Sequence, residues 1–248
     1  MTNFDCSSGF IRAGEVALYY ERYFSPKKNA PVLILLHGNG EDLHIFDNLI
    51  ECLIPSYTLI TMDTRHHGMS SKGTDPLSYE LFAEDLFVLV NELAIGSFLV
   101  LGFSDGAITA LEFALRHKER LSAMILVGVN ISPTGLTFFT GIGLQVLSLL
   151  HKTRDLLTRK RRDATRFVEL MLKQPDISCE QLSYLSVPAL VVHGEHDMVK
   201  DSHSALIATS LPHARRVMIP GASHFVMKDR PQEFKHIILE FLQEAAAG

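Results

Sequence analysis

Apolar residues fall along this chain in short, nearly unbroken runs at Pro31–Gly38, Tyr57–Asp63, Ser97–Ser104, Leu121–Asn130, Val187–Asp197 and Ala214–Gly221. Each run is rich in Val, Ile, Leu or Met and lacks strict alternation, the pattern of strands covered on both faces. Ahead of them, Gly9–Phe24 reads as two strands joined at Ala13-Gly14. Between most runs the periodicity is helical, at Ile45–Leu53, Tyr79–Leu93, Asp105–His117, Asp201–Ser210 and Pro231–Ala246. The last of these begins on a proline, whose missing N–H costs nothing in a first helical turn. A hairpin followed by repeated β-α units predicts an α/β architecture, a mostly parallel central sheet with helices on both faces.

One interval breaks that rhythm. Ile131 to Ser186 holds two helix-like stretches and no convincing strand. The pattern therefore divides the chain into a core, residues 1–130 and 187–248, and a helical insertion, residues 131–186. Within it, Gly135–Leu150 is apolar around much of its circumference, but too short and too interrupted by Thr, Gln and Gly for a membrane span. A lid over an apolar cleft explains it; a helix packed into the core is the other reading. The basic run Arg159–Arg166 that follows reads as a solvated face, with attraction of an anionic substrate as the alternative.

Composition narrows the classes. With 248 residues, 47% hydrophobic and 21% charged, the chain suits one enzyme-sized globular domain and neither disorder nor a fibrous repeat. A formal net charge of −5 offers no basic footprint for nucleic acid. Cys6, Cys52 and Cys179 are odd in number and widely separated, and Met1–Phe10 has no apolar signal core, so a reducing, cytoplasmic setting is expected.

The chemistry gathers where the third covered run becomes a helix. Gly102-Phe103-Ser104-Asp105-Gly106 matches Gly-x-Ser-x-Gly, with a strand before it and a helix after it. So sharp a turn leaves little space, and glycines at 102 and 106 give the close approach that a Cβ would block. Ser104 then projects at the carboxyl end of the sheet as a nucleophile. A serine hydroxyl needs a base, and the base an orienting carboxylate. His224 lies in the loop between the last strand and the last helix, and Asp197 just beyond a covered strand. The order Ser104, Asp197, His224 is the one expected for a triad on an α/β sheet. At the end of the preceding strand, Asn130 offers no carboxylate.

Four blocks, Leu35–Gly40 (LLHGNG), Met62–Ser70 (MDTRHHGMS), Gly102–Gly106 (GFSDG) and Gly194–Asp197 with Gly221–His224 (GEHD, GASH), together resemble the α/β-hydrolase superfamily across essentially the whole chain. The resemblance implies an oxyanion hole formed by the backbone N–H groups of Asn39 and Asp105. His66 stands where the family commonly has Gly, so the loop backbone is expected to differ locally there. Asp105 directly after the nucleophile resembles the biphenyl-hydrolase-like branch, which includes amino-acid-ester hydrolases. That likeness implies a carboxylate able to hold a substrate ammonium, beside the plainer reading of a favourable charge at a helix start.

Other chemistries find less support. His66-His67 and His193 with His196 can be drawn as metal ligands, but His193 belongs to a covered strand end and Asp197 is taken by the triad, so no metal site is expected. Neither a Gly-x-x-x-x-Gly-Lys-Ser/Thr loop nor a Gly-x-Gly-x-x-Gly loop is present, so no nucleotide cofactor is implied. The expectation is a cofactor-independent serine hydrolase of a carboxylic ester or related small-molecule acyl substrate. Carbon–carbon, thioester and lactone hydrolysis use the same triad, and a non-catalytic small-ligand-binding protein is the alternative of a different class.

Overall fold

A computed structural model describes residues 4–158 and 162–247. The expected hairpin is β1 (Cys6–Ala13) and β2 (Val16–Tyr23), and the covered runs become β3 (Val32–Leu36), β4 (Thr58–Met62), β5 (Phe98–Phe103), β6 (Leu121–Val127), β7 (Ala189–His196) and β8 (Ala214–Ser223). Between and after them lie α1 (Asp47–Leu53), α2 (Tyr79–Glu92), α3 (Asp105–His117), α4 (Phe138–Thr158), α5 (Asp163–Lys173), α6 (Cys179–Ser183), α7 (Asp201–Ser210), α8 (Val226–Asp229) and α9 (Pro231–Ala247). Among the described residues the strands form one sheet in the order β1-β2-β4-β3-β5-β6-β7-β8. The hairpin joins it antiparallel, and β3, β4, β5, β6, β7 and β8 run parallel.

The unbroken apolar runs are explained by two cores. Successive strand residues point to opposite faces. Thus Ile34, Leu36, Ile60 and Val100 pack with Phe82, Leu86, Ile108 and Leu111 on one side. Leu33, Leu35, Leu59 and Leu101 pack with Leu49, Phe234, Ile238 and Phe241 on the other. The chain leaves β3 toward β4 on one flank, while β5 lies on the other flank. The crevice beyond the carboxyl ends of β3 and β5 is therefore a topological switch point, where ligands bind in open α/β sheets.

Between β6 and β7, where the sequence pattern offers two helix-like stretches, the described residues form the three helices α4, α5 and α6. Helix α5 buries Phe167, Val168 and Leu170. Helix α4 does not pack into the core, since its buried residue is Ser148. Its C-terminal end is tied to α5: Asp155 accepts the Thr165 hydroxyl at 2.6 Å, and Lys152 pairs with Glu169 at 3.4 Å. Of the basic run, Arg159, Lys160 and Arg161 lie outside the described residues, while Arg166 donates to the Gly73 carbonyl at 3.3 Å. No described helix is long and apolar enough to cross a membrane.

Candidate active site

Ser104 follows β5 with φ +52° and ψ −116°, a conformation costing a non-glycine residue on the order of 1–3 kcal/mol. The backbone on either side holds it there. Ser104 N–H donates to the Val127 carbonyl at 2.8 Å, and its own carbonyl accepts from Ala107 at 2.9 Å. The expected crowding at both glycines is present. A Cβ on Gly102 would lie 2.4 Å from the Gly106 carbonyl oxygen, and one on Gly106 would lie 2.1 Å from that of Leu36. Strand β3, the elbow and α3 therefore approach one another backbone to backbone.

His224 and Asp197 come together at the neighbouring strand ends. The imidazole Nδ1 lies 2.6 Å from Asp197 Oδ1, with both side chains nearly inaccessible. Val199 and Gly194 N–H groups also donate to that carboxylate, at 3.0 and 3.3 Å. Burial works to raise the Asp197 carboxyl, but these donors and His224 outweigh it, and the group stays below its ordinary range. With Nδ1 engaged, Nε2 is the ring nitrogen left for other chemistry. Ser104, His224, Asn39 and Asp105 line one cavity of about 240 Å³. Phe103, Leu136, Leu144, Met171, Met198 and Phe225 make most of it apolar.

The loop after β3 is fixed from beneath. His37 accepts from Thr64 N–H through Nε2 at 3.1 Å and so donates from Nδ1 to the Gly38 carbonyl at 2.7 Å. Burial lowers its pKa to about 4, which keeps the ring neutral as this arrangement requires. Asp63 braces the same loop, accepting from Leu43 and Met69 N–H groups at 2.9 and 2.7 Å. A Cβ on Gly38 would lie 3.1 Å from Ser104 Cβ, so this loop passes in contact with the elbow and delivers Asn39 beside it. Asp105 is the first residue of α3, where a helix leaves its N–H groups without intrahelical partners.

Asp105 has a second character. Its Oδ1 accepts the Tyr79 hydroxyl at 2.9 Å, while Oδ2 is buried without a partner. Burial pushes its pKa up to about 6, against the Tyr79 hydrogen bond and the charge of His224. The carboxylate thus spends its hydrogen bond on Tyr79 and not on capping α3.

His66 departs from the expectation. It holds φ +68°, the conformation in which glycine is at ease, so the loop keeps a glycine-like turn despite the substitution. The side chain is compensated at both nitrogens, with Asp163 Oδ1 3.0 Å from Nδ1 and Gly73 N–H 3.3 Å from Nε2. His193, a conceivable ligand on sequence grounds, instead meets Asp201 at 2.9 Å. No group of three or more His, Cys, Asp or Glu among the described residues is placed to hold a metal ion. Sequence reasoning missed Tyr79, Met171 and Gly128. Gly128 directly follows β6 at φ +61°, and a Cβ there would lie 2.6 Å from His224 Cε1. A glycine just past a covered parallel strand was the available signal; Tyr79 and Met171 carried none.

A family model for the alpha/beta hydrolase fold matches residues 31–172. The chain belongs to that family and is an α/β-fold hydrolase. It is 25% identical to a pimeloyl-[acyl-carrier protein] methyl ester esterase of Yersinia enterocolitica, over 86% of this chain and 93% of that protein. It is 26% identical to a 2-hydroxy-6-oxo-6-(2'-aminophenyl)hexa-2,4-dienoic acid hydrolase of Metapseudomonas resinovorans, over 96% of this chain and 91% of that one. An esterase structure from Exiguobacterium antarcticum superposes with a TM-score of 0.81 at 18% identity, covering 96% of this chain and all of the other.

Proposed function

We propose that the protein is a serine hydrolase that cleaves a carboxylic ester through an acyl-enzyme. The observation that carries this reading is the 2.6 Å contact of His224 with buried Asp197, on the same apolar cavity as Ser104 on its strained turn. Ser104 Oγ attacks the ester carbonyl as its proton passes to His224 Nε2. The oxyanion is received by the N–H groups of Asn39 and Asp105, each donor worth roughly 10²- to 10³-fold in rate. The carbon–oxygen bond breaks, and the alcohol leaves with the proton from His224. Water then attacks the acyl-enzyme by the same route, returning the acid and free Ser104. Asp197 holds the ring orientation and offsets the charge that it gains. No cofactor is required for these steps.

Residues 131–186 act as the lid of this site, a reading supported by Leu136, Thr140, Leu144 and Met171, which line the same cavity as Ser104. The apolar lining favours an aliphatic or aromatic acyl group. A second reading of the specificity rests on Asp105, a residue of the cavity lining whose Oδ2 is buried without a partner. A substrate ammonium would pair with it. Free Cys6, Cys52 and Cys179 fit a reducing, intracellular setting.

The test is turnover of p-nitrophenyl esters of increasing acyl length, with aminoacyl esters included, by wild type and Ser104→Ala, together with labelling by a fluorophosphonate. Labelling and turnover that vanish in Ser104→Ala support the reading. A folded wild type that neither labels nor turns over any ester sinks it in favour of ligand binding. Labelling without ester turnover shifts the substrate to a thioester, lactone or vinylogous diketone. Asp105→Asn should harm aminoacyl esters selectively if the ammonium reading holds.

A further inference from the structure

Helix α4 presents large apolar side chains to solvent along its whole length. Phe139 is 83% exposed, Leu149 67%, Leu156 79% and Leu157 79%, with Ile142, Val146 and Leu150 also open. At 100° per residue these positions share an arc of about 120°, on a stripe about 27 Å long. Lys152, exposed although it also pairs with Glu169, and exposed Arg154 fall about 40° beyond the two edges of that arc. Thr140 and Leu144, on the other side of the helix, line the Ser104 cavity. One helix therefore roofs the cavity with one face and offers solvent an apolar face bordered by cations.

We propose that this outer face docks on an anionic lipid bilayer, with α4 lying in the plane of the interface. A helix with an apolar stripe and flanking Lys or Arg is built for that position, because the long cationic side chains reach up to the headgroups as the stripe enters the acyl boundary. Charge complementarity favours an anionic surface. The chain as a whole is net −5, yet the charged residues at the two edges of the stripe, Lys152 and Arg154, are both cations. Spanning is excluded for this helix, which is not apolar enough to cross. Docked this way, the roof of the cavity faces the bilayer, and an apolar acyl compound would pass from the lipid toward Leu144. The docking itself does not depend on the hydrolytic reading.

The test measures binding, not turnover, using the full chain and vesicles of phosphatidylcholine with or without an equal part of phosphatidylglycerol. Wild type should sediment with the mixed vesicles, less so at high salt. A Phe139→Gln, Leu149→Gln, Leu156→Gln variant should partition at least about tenfold more weakly, since three large apolar side chains are lost from the interface. The chain contains no Trp, so Phe139→Trp supplies a single emitter that should shift to the blue on mixed vesicles. Wild type left in the supernatant with both compositions, or an indole emission from the Phe139→Trp variant that does not move, overturns the proposal. So does a dimer in light scattering that the triple variant splits into monomers while neither form binds vesicles, which would make a second copy the occupant. Equal sedimentation with pure phosphatidylcholine overturns the anionic assignment.

Discussion

Ser104 and Leu144 face the same cavity from segments built by opposite rules. Around Ser104 the backbones of β3, the elbow and α3 approach so closely that a single added methyl at Gly102 or Gly106 meets a carbonyl oxygen. Around Leu144 the helix buries Ser148 and leaves its outer apolar face in solvent. Close packing transmits any displacement directly to the reacting groups. A helix that buries so little of itself can shift without disturbing them. On the proposed function, the rim around Ser104 should therefore respond to small changes with large losses of rate, and the insertion with changes in which substrates are accepted.

The severest way to break the rim is at its carboxylate. Asp197→Asn keeps the shape but reverses the donor requirement at His224 Nδ1, so kcat should fall by about 10⁴-fold, with folding preserved. A loss below about tenfold would mean that another acid serves the ring. Next comes Gly128→Ala. Its Cβ would stand 2.6 Å from His224 Cε1 on a backbone at φ +61°, so the imidazole must move. We expect a roughly 10- to 100-fold loss in kcat and about 1–2 kcal/mol of stability. An equal methyl on the exposed side of α4, at Gly143, meets nothing within 4 Å and should leave kcat unchanged. Equal damage at both glycines would erase the distinction between the two regions.

The rim is more legible in the sequence than the roof, for the same physical reason. Covered strands must be apolar on every residue, the elbow must be glycine on both sides, and a triad must supply three chemistries in order; such constraints leave marks in composition and spacing. Asp201–Ser210 and Asp105–His117 accordingly begin and end where the periodicity places them. Side-chain contacts between distant residues, in the rim as well as between the core and the insertion, share no local pattern. Tyr79 meets Asp105 across 26 positions and His66 meets Asp163 across 97, and neither pairing changes the periodicity of its own segment. An altered loop at His66 is the natural expectation for the same reason, since sequence alone does not reveal a non-glycine residue held at φ +68° by partners at both ring nitrogens.

Asp105 sharpens the comparison through pH. Its carboxyl rises from 3.8 to about 6 on folding, so the folded protein keeps a proton that the unfolded chain releases between those values. Stability from this group is present below about pH 4 and is lost as pH rises through 6. His37 and His67 act in the opposite sense. Burial takes both from 6.5 to about 4, with the neighbouring His37 also lowering His67, so their contribution is lost as pH falls through that window. Asp105→Asn retains an acceptor for Tyr79 and removes the buried charge. It should gain about 2 kcal/mol at pH 8, a Tm increase of about 4–8 °C, and nothing at pH 4. A gain of equal size at both values would show that the effect is packing and not ionisation.

The smallest expected effect lies where the insertion meets the rim. Asp163, at the start of α5, pairs with Lys72 at 2.5 Å and with His66 at 3.0 Å. Lys72 is 67% exposed, and an ion pair so open to water is worth little, so Asp163→Asn should cost below about 1 kcal/mol. The His66 contact is different in kind, since its ring is buried and its backbone is held in a left-handed turn. Loss of the charged partner lets α5 move relative to that loop, and α5 carries Met171 into the cavity, where Asn39 Nδ2 lies 3.5 Å from its sulfur. The variant should therefore raise KM for long acyl esters severalfold while leaving kcat for short ones unchanged. If kcat falls equally for both, the insertion is part of the rigid machinery after all, and the division between rim and roof must be redrawn at α4.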